Sequence, residues 1–246
     1  MGRASMGSEE RANMSGTDIL GLDLAGSPQR PTGFCVLRGR RVQVGHAFSD
    51  ADIRGLVESA APQLVAIDAP LALPAGRCCL LDTCSCARTT HFRVSDHELR
   101  RLGIRFFPMT LGPMRQLTQR GMQLKAALEA TGIPVIETYP GAAQDLWGIP
   151  RQRHAAALRR GLARFRLRGL GRSERSPHVL DAVTCALVGQ LYLEGSAWSI
   201  GSPEEALMIL PPPDAAQKVL IPRQVRVGLA SHRQQASRGS GGSATG

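Results

Sequence analysis

The chain has 246 residues, 43% hydrophobic and 20% charged, a balance that suits a soluble globular protein with a real core. No apolar run approaches the ~20 residues needed to cross a bilayer. The first 17 residues, MGRASMGSEERANMSGT, lack the apolar segment of a secretory signal, so a cytoplasmic protein with six reduced cysteines is expected.

The net charge of +10 is unevenly spread. Residues 151–175 hold nine Arg against one Glu, net +8; residues 214–246 carry net +4; the remainder is −2. A near-neutral body with one very basic segment favours polyanions, nucleic acid above all, through phosphate contact and counterion release. The alternative is a solvated Arg-rich helix face.

Residues 1–17 are expected to form a disordered extension. A first strand follows at 18–25, in DILGLDLAGS. TGFCVLR (32–38) and RVQVGHAF (41–48) form a hairpin around Arg38-Gly39-Arg40. SDADIRGLVESAA offers Ser49 as the N-cap of an amphipathic helix to Ala60, and QLVAID (63–68) is a fourth strand. Residues 69–92 make a long connection, opened by Pro70 and Pro74, that holds a cysteine-rich insertion.

SDHELRRLG places Ser95 and Glu98 at capping-box spacing, with Gly103 as its stop. A longer helix spans 113–131, a fifth strand 133–138, and a short helix follows in PGAAQDLWG. Residues 151–168 have helical spacing throughout. Ser176 caps, and Pro177 opens, an apolar helix to Leu193. AWSI and ALMILP are candidates for small terminal strands, and the basic tail 214–246 is expected to be largely disordered.

Right-handed crossovers make strands one, four and five parallel. The expected fold class is α/β: a mixed five-stranded sheet, three antiparallel strands then two parallel, with helices on both faces, over residues 18–213. Asp23, Asp68 and Glu137 each fall at the C-terminal end of a predicted parallel strand, where α/β ligand sites occur. Asp181 lies early in the apolar helix, three residues after His178 and so on the same face. Carboxylates ~5 Å apart repel by about 3 kcal/mol at an effective dielectric near 20. Such a cluster needs protons, donors or hard divalent cations such as Mg²⁺ or Mn²⁺, and two such ions can drive phosphodiester hydrolysis. Each acid also has a local alternative: a turn at Asp23, Asp68 or Glu137, and the helix dipole at Asp181.

The segments GLDLAGS, VAIDAPLALP, ELRRLGIRFFP, VIETYPGAAQDLWGIP and HVLDAVTCALVG resemble the bacterial and archaeal family called domain of unknown function 429. That family is regarded as predicted nucleases with a ribonuclease H-like fold. The resemblance runs from about residue 18 to residue 213. It implies that Asp23 is the first-strand acid, Asp68 the fourth-strand acid and Asp181 the acid of the last core helix. Glu137 is added from its position alone.

Cys78, Cys79, Cys84 and Cys86 crowd into CCLLDTCSC, a density that suits either a structural Zn²⁺ or a regulatory or incidental thiol cluster. The spacing is not the paired C-x2-C of common zinc modules. Cys35 and Cys185 read as core. Arg100, Arg101, Arg105, Arg115 and Arg120, with Phe106 and Phe107, read as a phosphate and base platform or, for the two Phe, as core. The leading expectation is a metal-dependent nuclease acting on DNA or RNA with two Mg²⁺ or Mn²⁺ ions. Asp23, Asp68, Glu137 and Asp181 would be its catalytic set, and Arg151, Arg153, Arg159, Arg160 and Arg164 would grip the backbone. The rivals are a non-catalytic nucleic-acid binder of the same fold and, more remotely, a phosphotransferase of the actin-like ATPase type, which needs a second domain copy that this chain does not show.

Overall fold

The computed structural model describes residues 18–151 and 154–213; the expected extension 1–17, the tail 214–246 and Arg153 lie outside the described residues. Strand β1 (Asp18–Asp23) is central. Alternation along it divides the core: Leu20 and Leu22 join Ile53, Val57, Leu124 and Leu128 on one face. Ile19 joins Leu158, Leu162, Leu180 and Val183 on the other. An acid closing such a strand is therefore carried to a buried edge rather than to open water.

Around β1 the sheet runs β3-β2-β1-β4-β5-β7-β6, with β2 (Thr32–Arg38), β3 (Arg41–Ala47), β4 (Leu64–Asp68), β5 (Val135–Thr138), β6 (Trp198–Ile200) and β7 (Met208–Leu210). The first three strands are antiparallel neighbours, and β1, β4 and β5 are parallel. This order is consistent with a ribonuclease H-like α/β fold. The expected five strands become seven, because AWSI and ALMILP do pair. β7 lies parallel to β5 and β6 antiparallel to β7. They cover an edge of β5 that would otherwise expose unpaired backbone groups.

Helices α1 (Asp50–Ala60) and α3 (Gly112–Glu129) cover the Leu20 face; α5 (Ala155–Leu162) and α6 (Pro177–Leu193) cover the other. Ser49 Oγ accepts from the Asp52 N–H at 3.1 Å while the Asp52 carboxylate accepts from the Ser49 N–H at 2.9 Å, the expected start of α1. Ser176 likewise caps α6. By contrast, α2 (Val94–Arg101) starts one residue before Ser95. Asp96 accepts from the Arg93 N–H at 2.9 Å, and Ser95 Oγ is buried without a partner. The Arg-rich stretch is also shorter in helix than its spacing implies: α5 gives way to a 3₁₀ turn, and Arg166 ends it with φ 53°. A short α4 (Pro140–Leu146) follows β5. Among the described residues no helix is long and apolar enough to cross a membrane.

Helix α6 approaches the sheet so closely that two strand positions must be glycine. A Cβ on Gly21 would stand 2.2 Å from Ala182 O, and one on Gly33 would stand 2.1 Å from His178 O. Neither helix backbone can yield by rotating a side chain. Gly33→Ala should therefore destabilise the fold by about 3 kcal/mol, the upper end for overpacking, and push the first turn of α6 off β2. A urea unfolding midpoint equal to wild type would mean that the helix docks further out.

Candidate active site

Register builds the site. Asp23 pairs directly with Asp68 across β1 and β4, so the two carboxylates leave the sheet on one face, on strands about 4.8 Å apart. It is the face covered by α6. That helix adds Asp181, almost wholly buried, and His178 one turn before it, near the rim. His178 Nδ1 lies 2.7 Å from Asp23 Oδ2, within hydrogen-bond distance. From α4, Gln144 Nε2 donates to Asp181 Oδ1 at 2.6 Å and to Thr184 Oγ1 at 3.2 Å. Among the described residues Asp68 makes no hydrogen bond or ion pair.

The loop behind β1 is held by Arg120, which donates to Ala25 O (2.6 Å), Phe48 O (2.7 Å) and Asp50 Oδ1 (2.8 Å). The Ala25 N–H donates to Thr32 Oγ1 at 3.0 Å. Arg120 thus serves the backbone next to Asp23 and not an external phosphate. Arg115 is similarly engaged, with Thr110 O and Asp82.

The electrostatics follow from burial and crowding. Burial, followed by the charges of Asp23, Asp181 and Glu137, pushes Asp68 well above the usual carboxylate range. Burial and the Asp23 charge push Asp181 up to about 7, against the pull of the Gln144 hydrogen bond. Asp23 is raised by burial despite its hydrogen bond with His178, and that bond raises His178 in turn. Two polar atoms beside the acids are buried without partners: Thr138 Oγ1, whose residue is the register neighbour of Asp68 on β5, and Gln144 Oε1.

A family match described as Protein of unknown function (DUF429) spans residues 16–206, from just before β1 to just before β7. The chain belongs to the DUF429 family. No curated protein matches it. Asp23, Asp68, Glu137, Asp181 and the four clustered cysteines all lie inside the matched segment of this DUF429 chain.

Glu137 does not join the other acids. The β4–β5 register pairs it with Ile67, so its side chain leaves the opposite face of the sheet. There Arg93 donates Nη1 to Oε2 and Nη2 to Oε1, both at 2.6 Å, and the Leu71 N–H donates to Oε2 at 2.8 Å. The pair is buried on both sides. The fork holds the chain just after Asp68, so Glu137 shapes the site from behind.

The basic segment divides too. Arg151 borders the acids; its charge lowers Asp181, and it pairs with Asp145 (Nε to Oδ1, 2.9 Å). Arg159 donates to Gly171 O at 2.9 Å and Arg164 to Trp147 O at 2.7 Å, so both fold the segment onto itself. Arg160 is exposed. Grooves flank the acids: one of about 840 Å³ runs past Ala25, Ser27, Arg30 and His178, and one of about 1180 Å³ runs past Tyr139 and Arg151.

In the insertion, the thiols of Cys78, Cys79, Cys84 and Cys86 all lie within 4.8 Å of one another, a group able to hold a metal ion. Cys78 and Cys84 Sγ are 3.6 Å apart, and Cys79 and Cys86 Sγ 3.7 Å. Cys35 and Cys185 are buried core residues. His178, beside Asp23, is a residue of the acid site that the sequence did not set among the acids. Its place three residues before Asp181, at the start of a helix led by Ser-Pro, was the available signal.

Proposed function

We propose that this DUF429 protein is a metal-dependent nuclease that hydrolyses phosphodiester bonds of DNA or RNA. One observation carries the reading: three carboxylates from separate elements share a face, Asp181 buried and Asp23 and Asp68 half-buried, and Asp68 has no partner among the described residues. Neutralisation by His178 alone leaves the set short of positive charge. Hard oxygen donors suit Mg²⁺ or Mn²⁺, and the two orphaned polar atoms, Thr138 Oγ1 and Gln144 Oε1, suit the water that accompanies such ions. Asp23, Asp68 and Asp181 would hold the ions. When bound, the ions supply an activated water and charge stabilisation at the phosphate.

The chain's own residues do the rest. Gln144 fixes the rotamer of Asp181. His178, 46% exposed by its side chain, holds Asp23 and can keep or release a proton at the mouth of the site. Arg151 supplies positive charge on the neighbouring rim. A cytoplasmic location fits the six free thiols. The test is cleavage of labelled DNA and RNA with Mg²⁺ or Mn²⁺ and with chelator. Ion-dependent cleavage by wild type supports the nuclease; binding without cleavage by every preparation supports the binder.

We also assign Zn²⁺ to the cysteine cluster, since four thiols in one place match the tetrahedral preference of that ion. Purified protein should carry one zinc per chain by native mass spectrometry. Cys84→Ser should lose it and melt roughly 5–10 °C lower, as for a loss of 2–3 kcal/mol. Zinc-free wild type with an unchanged melt would return the cluster to plain thiols.

A further inference from the structure

The larger groove beside the acids has a built floor and an exposed ring. It starts at Tyr139, the residue after the β5 neighbour of Asp68. Tyr139 OH donates to Arg105 O at 2.7 Å, and Arg151 Nη1 donates to the same oxygen at 3.2 Å, so the backbone of the 104–111 loop is clamped to the site. Ile104 and Met109 are buried and anchor the loop on both sides of its tip. At the tip Phe107 is 73% exposed, the most exposed large hydrophobic side chain described. Phe106, next to it, packs against the core.

Cations share the groove's lining with the ring. Arg105 is exposed and has no side-chain partner among the described residues. Arg100 stands 4.0 Å from the centroid of Phe92 at the far wall. The acid in the lining, Asp145, is already paired with Arg151. An apolar peptide in this groove would bury these guanidinium groups against no negative charge, whereas a polyanion satisfies them.

We propose that this groove binds single-stranded nucleic acid, with Phe107 stacking on an unpaired base and Arg105 meeting a phosphate one or two nucleotides from the acids. The proposal rests on the nuclease reading for its placement of the strand, but its binding step does not require cleavage. Single strands are favoured because a ring at a loop tip stacks only on a base that is not already sandwiched in a duplex.

Fluorescence anisotropy with labelled dT12, U12 and a mixed-sequence duplex tests it, in calcium buffer with the oligonucleotide checked intact by gel. Phe107→Ala should weaken single-strand binding by about 5- to 100-fold, the effect of one lost base stack, while Phe107→Trp stays near wild type. Arg105→Ala should lower the salt dependence of single-strand binding by about 0.7 in log–log slope, one phosphate contact. Single-strand affinity within about twofold of wild type in Phe107→Ala overturns the proposal, as does a wild-type preference for duplex. The two readings fail separately. Wild type that binds single strands through Phe107 but never cleaves removes the nuclease and keeps the groove. Ion-dependent cleavage with unchanged single-strand binding in Phe107→Ala removes the groove and keeps the nuclease.

Discussion

Asp68→Asn is expected to lower cleavage on the order of 10³-fold, the loss of several kcal/mol of transition-state stabilisation. The same change should raise the melting midpoint of the metal-free chain at pH 8. Both expectations come from one fact: Asp68 sits beside Asp23 and Asp181 with no donor of its own, so burial and repulsion push its carboxyl well up. Asn keeps the shape and removes the repulsion. It also removes the ligand, so Mg²⁺ or Mn²⁺ at millimolar levels should raise the wild-type midpoint and leave the variant unmoved.

The pH dependence has a definite sign. Carboxyls raised in the fold bind protons more tightly there than in the unfolded chain. Their contribution to stability is fully present below the unfolded value and is lost as pH rises through the folded one. Asp181, raised from 3.8 to about 7, spans that window. The metal-free protein should therefore lose on the order of 4 kcal/mol between pH 4 and pH 8 from this group alone, less whatever relaxation recovers. Asp181→Asn should flatten the curve, and saturating Mg²⁺ should restore stability at pH 8. A metal-free chain more stable at pH 8 than at pH 5, with Asp68→Asn cleaving at the wild-type rate, would sink the cation site.

Much of this was readable before folding. An acid after Ile19-Leu20-Gly21-Leu22 can only be a strand-end acid, and the same holds for Asp68 after Leu64-Val65-Ala66-Ile67, so their meeting followed from parallel crossovers. The face that each acid takes was not readable, because a one-residue shift of register inverts it and nothing local fixes β4 against β5. That is why Glu137 looked like a fourth member and turns out to sit back to back with the others. Its partner was hidden as well: Arg93 reads as a surface residue before a short helix, yet its side chain is 2% exposed. The cysteines show the reverse case. Their spacing matched no common zinc module, but a loop tied through Arg77 to Cys79 O (3.1 Å) and Thr90 O (3.2 Å) folds all four thiols together. Phe106 and Phe107 divide between core and solvent, a split that adjacent identical residues cannot announce.

The buried fork between Arg93 and Glu137 makes the second large prediction. Arg93→Ala should cost about 3–5 kcal/mol, because it leaves the Glu137 carboxylate buried without its guanidinium and frees the chain that follows Asp68. The deficit should be smaller at pH 5 than at pH 8, since the stranded carboxyl can then take a proton. Arg93→Met combined with Glu137→Gln should recover most of the loss. The pair of charges is removed together, and Gln still offers an oxygen to the Leu71 N–H. Urea unfolding of the single and double variants measures the coupling. Activity separates this pair from the other face. Below its melting midpoint, Glu137→Gln should cleave within about tenfold of wild type, the cost of a loosened wall, where Asp68→Asn has lost on the order of 10³-fold. A folded Glu137→Gln as inactive as Asp68→Asn would mean that Glu137 leaves Arg93 and reaches the reacting phosphate, and the two-faced arrangement described for the acids would have to give way.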